Sequence, residues 1–236
     1  MTPFRDSFKR TGFTLVETVL AIAIIAVLIT TFFAAFVMGT SGVRQALSMQ
    51  DADRLAYALE QELTTLRGND GVGVSTGFDK AFNWIKDSRT GGDKIVVVYQ
   101  YRGDLSKAVR ADGTLIPYTA LGGVAGQNFV VQTAIRRRDD PLLKEDLNAL
   151  EGRVYAVVTT QLVFNANGEL VRGTPGMIND PKGGGESKTP GAYPEAVIAF
   201  AAEFYAQPSS DYDHVRNFVS TKFTRPIFTR NLAVRR

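Results

Sequence analysis

One stretch near the start of the chain decides most of what it can fold into. From Val19 to Met38 (VLAIAIIAVLITTFFAAFVM) there is no charged residue. Only Thr30 and Thr31 interrupt the apolar run, and in a helix their hydroxyls can bond back to the preceding turn. At about 1.5 Å per residue, such a helix covers the roughly 30 Å of a bilayer's hydrocarbon core. A secretory signal has an apolar core of only about 7–15 residues and then a small-residue cleavage site, so this run is too long for one. Ahead of it lies a polar leader, Met1 to Gly12, in which Arg5, Lys9 and Arg10 outnumber Asp6. That bias predicts a cytoplasmic N-terminus with the C-terminal bulk across the membrane. Glu17 does not fit a plain anchor. An acid costs about 2.5–3.5 kcal/mol at mid-membrane and less near the interface, so a partner for it is expected.

The segment Gly12-Phe13-Thr14-Leu15-Val16-Glu17 carries a more specific signal. Behind a short basic leader and ahead of an unbroken apolar helix, it resembles the class III signal of type IV pilins and type II secretion pseudopilins. The resemblance implies cleavage by prepilin peptidase between Gly12 and Phe13, and N-methylation of Phe13 as the new terminus. It also implies an assembly role for Glu17, whose carboxylate would neutralise the terminal amine of a neighbouring subunit in the filament core. A matched buried pair is penalised far less than a lone buried charge. Glycine suits the scissile position, since the backbone must enter a peptidase cleft.

Beyond Met38, Gly39-Thr40-Ser41-Gly42 is a weak point, because each glycine costs about 0.8–1.0 kcal/mol relative to alanine in a helix. Leu55, Leu59, Leu63 and Leu66 then recur at helical spacing with charged residues between them. Two readings stay open: one helix from Thr14 to Arg67, about 80 Å long, or an anchor followed by a separate helix. Gly68-Asn69-Asp70-Gly71 is the stop in either case. The organisation expected is a leader over 1–12, a transmembrane or filament-core helix over 13–42, an amphipathic half over 43–67 and an extracytoplasmic domain over 68–236.

In that domain the signals are those of strands. Lys94–Arg102, Asn128–Arg137 and Arg153–Phe164 are rich in β-branched and aromatic residues. Asn165-Ala166-Asn167-Gly168 turns the last of these into Glu169-Leu170-Val171. Pro194–Gln207 is apolar throughout and reads equally as a strand or a helix, and Asn217–Leu232 reads as an edge strand interrupted by Pro226. Gly68–Gly77 and Gly173–Gly191 read as loops, the second as mobile. Strand following strand without regular helices between them predicts an α+β fold: a long N-terminal helix packed on an antiparallel sheet, pilin-like by resemblance.

Composition closes off several chemistries. The chain has no cysteine and a single histidine, His214, which removes disulfides, thiolate metal sites, cysteine nucleophiles and any mechanism needing two imidazoles. A net charge of +3 gives no global sign of nucleic-acid binding. The five basic residues from Lys222 to Arg236 could contact phosphates, but on an edge strand they read first as solvated charges that discourage aggregation. Arg136-Arg137-Arg138 runs into Asp139-Asp140 and reads as a self-compensated, solvated strand end. Asp211, Asp213 and His214 are the nearest approach to a metal site; without a second cluster of oxygen ligands, an acidic turn is the simpler reading. Gly183–Thr189 lacks the glycine before Lys188 that a phosphate loop needs, and Pro190 blocks the helix that should follow. Trp84 reads as a core or interface residue.

These observations predict a structural subunit without cofactor or enzymatic activity, resembling a minor pseudopilin of a type II secretion pseudopilus or a related type IV filament. Its partners would be other pilin-type subunits, prepilin peptidase, an inner-membrane assembly platform with its ATPase, and membrane lipid before assembly. Its place would be the bacterial inner membrane, with a single pass, and then an extracytoplasmic filament. The alternatives are a minor pilin of a type IV pilus or DNA-uptake filament, and a membrane-anchored extracytoplasmic protein with an enzymatic or binding role.

Overall fold

A computed structural model describes residues 14–67 (without the side chains of 34–52), 73–88, 92, 94–183, 185–217 and 225–236. The chain divides into two compact units, Met1–Asp51 and Ala52–Arg236. Helix α1 runs from Leu15 to Thr64 and is helical through 39–42. Over Leu15–Phe33 it is apolar enough and long enough to cross a membrane, and none of that window is buried in the chain itself.

In the second unit α1 presents Leu55, Leu59 and Leu63 to a core, all nearly inaccessible to solvent. Leu66 departs from the expected leucine face: it is 48% exposed, because α1 has ended two residues earlier at Thr64. A second helix, α2 (Gly77–Asp87), begins where the expected 68–77 loop ends, in a stretch to which the sequence reading assigns no element, and packs beside it. Thr76 caps α2 by accepting from the Asp79 N–H, and the Asp79 carboxylate accepts from the Thr76 N–H, a reciprocal capping box. Gly77 is required by proximity, since a Cβ there would lie 2.5 Å from the Thr64 carbonyl oxygen. Phe78, Ala81, Phe82, Trp84 and Ile85 of α2 enter the core.

The sheet is antiparallel throughout, with strands β1 (Val96–Asp104), β2 (Phe129–Arg137), β3 (Leu150–Phe164), β4 (Leu170–Arg172), β5 (Val197–Ala206) and β6 (Phe228–Arg235). The path runs β2-β1-β3-β5-β6, and β4 pairs with the end of β3. The ambiguous 194–207 segment is therefore a strand. Its apolar composition hides an alternation that burial shows: Ile198, Phe200, Ala202 and Phe204 are fully buried, while Val197 is exposed and Ala199, Glu203 and Tyr205 are half-buried. On one face Val96, Val98, Val157, Phe200, Ala202 and Phe204 meet α1 and α2. On the other, Val97, Tyr99, Tyr101 and Ala134 are covered by Leu143 of α3 (Leu142–Leu147) and Val215 of α4 (Tyr212–Asn217). The rings of Phe204 and Phe228 stack 4.2 Å apart where β5 meets β6. Burying side chains such as Phe82, Phe200 and Phe204 contributes roughly 1.5–3 kcal/mol each to holding the helices on the sheet.

The 173–191 segment is tied to the domain at several points. Ile178 is fully buried, and the Gln161 side chain brackets Asn179, donating to its carbonyl and accepting from its N–H. The Ser187 N–H donates to the Ile178 carbonyl. The expected last strand begins only at Phe228, two residues beyond Pro226, and is an edge strand as its charges suggested.

The sheet also changes the reading of the arginine run. Arg136 is 3% exposed, and Arg138, just past the end of β2, is equally buried. Arg136 Nε donates to Asp146 Oδ2 at 2.6 Å. Its Nη1 donates to Asp112 Oδ2 at 2.9 Å and Asp140 Oδ2 at 3.2 Å, and its Nη2 to Thr114 Oγ1 at 3.0 Å. Asp146 also accepts from Tyr99 Oη and Arg110 Nη1, each at 2.6 Å. Burial opposes the charge on Arg136, but Tyr99, Asp146 and Asp140 outweigh it and raise its pKa. Burial likewise raises the Asp112 pKa, yet hydrogen bonds from Thr114 and the Arg136 charge leave it below the usual carboxylate value. The run is the hub of an internal ion network, not a solvated strand end.

Candidate functional site at the helix amino terminus

Thr14 precedes the first helical residue and acts as its cap. Its Oγ1 accepts from the Glu17 N–H at 3.3 Å. In return Glu17 Oε2 accepts from the Thr14 N–H and from Thr14 Oγ1, both at 3.1 Å. The Thr18 N–H closes the first turn on the Thr14 carbonyl at 3.1 Å. This is again a capping box, and its Thr-x-x-Glu signature is legible in the sequence at Thr14 and Glu17. The arrangement holds an anion where the helix's unpaired N–H groups concentrate positive potential. It also leaves Glu17 Oε1 without a partner among the described residues.

The carboxylate thus lies beside the peptide N–H of Thr14, one residue from Phe13. Gly12 and Phe13 themselves lie outside the described residues. Along the helix that follows, Thr30 Oγ1 donates to the Ala26 carbonyl at 2.7 Å and Thr31 Oγ1 to that of Val27 at 2.7 Å. The two hydroxyls that break the apolar run are therefore satisfied inside the helix. Leu15, Val16, Val19, Leu20 and their successors to Phe33 stay exposed, so an apolar surface without intrachain cover extends from Glu17 onward.

The other residues considered as sites have local roles. Asp211 Oδ2 accepts from the His214 N–H at 3.2 Å at the start of α4. Among the described residues no three His, Asp or Glu gather as a metal site, so Asp213 and His214 do not join Asp211 in one. Two of the five basic residues of the tail are engaged within the domain. Arg230 pairs with Asp53 at 2.6 Å. Arg236 donates to the Pro190 carbonyl and lies over the Phe78 ring. Lys222 falls outside the described residues. Trp84 is buried on α2 beneath the Lys80 ammonium, which lies 4.9 Å from its ring.

Comparison with known proteins agrees with this geometry at one place. Residues 7–33 match the family described as the prokaryotic N-terminal methylation motif. No curated protein and no solved structure matches the chain. The match ends within the apolar helix, so it speaks for the signal and the helix, and the α+β domain stands on its own architecture. The motif implies processing by prepilin peptidase and assembly with other pilin-type subunits. With its capped glutamate at the head of a single apolar helix, the chain carries the N-terminal signal of type IV pilins and pseudopilins.

Proposed function

We propose that this protein is a structural subunit of a filament, a minor pseudopilin of a type II secretion pseudopilus or of a related type IV assembly. Prepilin peptidase cuts between Gly12 and Phe13, and the Phe13 amine is methylated. The apolar helix then leaves the bilayer to pack against other subunits outside the cytoplasm, driven by an inner-membrane platform and its ATPase. The observation that carries this reading is the methylation motif over 7–33 joined to the Thr14–Glu17 capping box. In it the one acid of the segment is already held one residue from the proposed new terminus. The exposed run Leu15–Phe33 supplies the surface for subunit packing, at roughly 25 cal/mol per Å² buried. Assignment to a minor pseudopilin rests on the absence of the paired cysteines many pilins carry and on the long irregular 173–191 segment.

Co-expression of the full chain with a prepilin peptidase, followed by intact mass and N-terminal fragmentation, tests the processing step. Loss of residues 1–12 with one methyl group on Phe13 is expected. An uncut chain beside a cleaved control pilin would leave a plain membrane anchor as the better description.

A further inference from the structure

A second feature lies at the far end of the sheet and does not depend on the signal. Strand β3 enters the sheet with an irregularity. Its register with β1 shifts between Glu151 and Tyr155, so Gly152, Arg153 and Val154 stand opposite the single residue Tyr99. Gly152 takes a positive φ of 85°, a conformation that favours glycine, and nothing lies within 4 Å of where its Cβ would be. On its other side β3 pairs with β5 only from Tyr155 onward, with one further bond from the Gln207 N–H to the Val154 carbonyl. Pro208 then turns the chain away, since a proline has no N–H to extend the ladder. Gly152 and Arg153 are thus left without a register partner in either neighbouring strand.

A cavity of about 460 Å³ opens at this ledge, lined by Gly152, Arg153, Val154 and the chain from Ala206 to Ser210. Two of its side chains are unmatched. Gln207 is 8% exposed, yet neither its Oε1 nor its Nε2 has a hydrogen-bond partner. A buried carboxamide left with both its donor and its acceptor unused is costly. The Arg153 guanidinium makes no ion pair among the described residues. The acids on either side are directed elsewhere: Glu151 approaches Arg102 at 3.9 Å, and Asp211 caps α4. Ser209 Oγ accepts from the Asp211 N–H and still has its own proton to donate.

We propose that this ledge binds an extended, acidic peptide segment of a partner protein. An added strand supplies N–H and C=O groups beside Gly152 and Arg153, which have no register partner in the sheet. A peptide group offers one acceptor and one donor, the complement of the Gln207 carboxamide once the side chain turns to the cavity. A carboxylate on the segment pairs with Arg153.

The test uses the full chain in detergent micelles and a fluorescein-labelled, acetylated hexapeptide of alternating Glu and Val, with an alternating Lys and Val peptide as control. Fluorescence anisotropy should show saturable binding of the acidic peptide only. It should weaken at least tenfold in both Arg153→Glu and Gln207→Leu, with unchanged melting temperatures, and should not weaken in Arg172→Glu on β4. Absence of binding would mean a merely hydrated cavity and would overturn the proposal. So would equal binding of the two peptides, or binding that survives both ledge substitutions. Processing by prepilin peptidase is read separately, so neither outcome here bears on it.

Discussion

Replacing Arg136 by methionine isolates the energetics of the internal ion network. Methionine keeps much of the apolar stem and removes the guanidinium with its four hydrogen bonds. Asp146 is fully buried but keeps Tyr99 and Arg110. Asp112, whose side chain is 4% exposed, keeps only the N–H and hydroxyl of Thr114. Breaking a buried pair by removing one member costs about 3–5 kcal/mol, because the other charge is left uncompensated. At a urea slope of about 2 kcal/mol per M, the unfolding midpoint should fall by roughly 1.5–2.5 M. Trp84, the one tryptophan and buried on α2, reports the transition by fluorescence in the full chain. The charge origin has its own signature. With Arg136 present the Asp112 pKa is depressed, so its contribution to stability is present above the unfolded carboxylate pKa and is lost as pH falls through the folded one. In Arg136→Met the Asp112 carboxylate loses the charge that helped depress its pKa, so the deficit against wild type should shrink between pH 7 and pH 3. Adding Asp112→Asn should recover at least about 1 kcal/mol at pH 7. A loss below about 1 kcal/mol, or a deficit independent of pH, would refute the reasoning.

Lys80 is fully buried and donates to Glu62 Oε1 and the Thr65 carbonyl, each at 2.7 Å. Lys80→Met should cost about 3 kcal/mol by chemical denaturation, and Glu62→Gln in the same background should restore part of it. Burial, and then the Asp146 charge, raise the Tyr99 pKa well above its ordinary value. The contribution of Tyr99 to stability is therefore complete below about pH 10 and declines as pH rises past it; Tyr99→Phe, less stable at neutral pH, should show a flatter alkaline limb. Thr14→Val removes the cap of α1 and should destabilise its first turn by about 1 kcal/mol, seen as roughly fivefold faster amide exchange at Leu15–Glu17 in micelles with melting of the second unit unchanged.

What could be read in the sequence follows the range of the interaction involved. The apolar run, the leucines at 55, 59 and 63 and the strands around 94–102, 128–137 and 153–164 are periodic or compositional signals, and all became elements. The α2 signal is also present: Phe78, Ala81, Phe82 and Ile85 fall at helical spacing behind Thr76 and Asp79, but the run is short and follows a glycine-rich loop, and no element is assigned to it. The Arg136 network was hidden for another reason. Its main partners, Asp112 and Asp146, lie 24 and 10 residues away and arrive through the β1–β2 connection and α3. The adjacent acids instead attract the reading, and of these Asp140 does accept from Arg136 at 3.2 Å, whereas Asp139 reaches only to 4.0 Å of Arg137. Nor does any local pattern mark Gln207 as unpaired, since that depends on where β3 slips past β1 and where Pro208 ends β5.

The two ends of α1 treat a glutamate in contrasting ways, and the contrast bears on Glu17. At the C-terminal end Glu62 is 6% exposed and saturated: Lys80 takes Oε1 at 2.7 Å, and Arg67 Nη2 reaches Oε2 at 2.5 Å. That carboxylate is a finished structural joint between α1 and α2, with no capacity for a further cation. At the N-terminal end Glu17 is exposed and uses only Oε2, for the Thr14 N–H and hydroxyl, while Oε1 remains unmatched among the described residues. A capping box satisfies a helix end without needing a cation, so the uncut chain can hold Glu17 in place near the membrane interface. A cationic amine created at Phe13 would then find an acceptor oxygen already oriented and unspent, whether the amine is its own or a neighbour's. Substituting glutamine keeps the cap's acceptor and removes the charge, whereas alanine removes both. If Glu17 serves only the helix end, the glutamine variant should assemble like wild type. If the charge is what assembly uses, glutamine and alanine should fail alike while both are still cleaved.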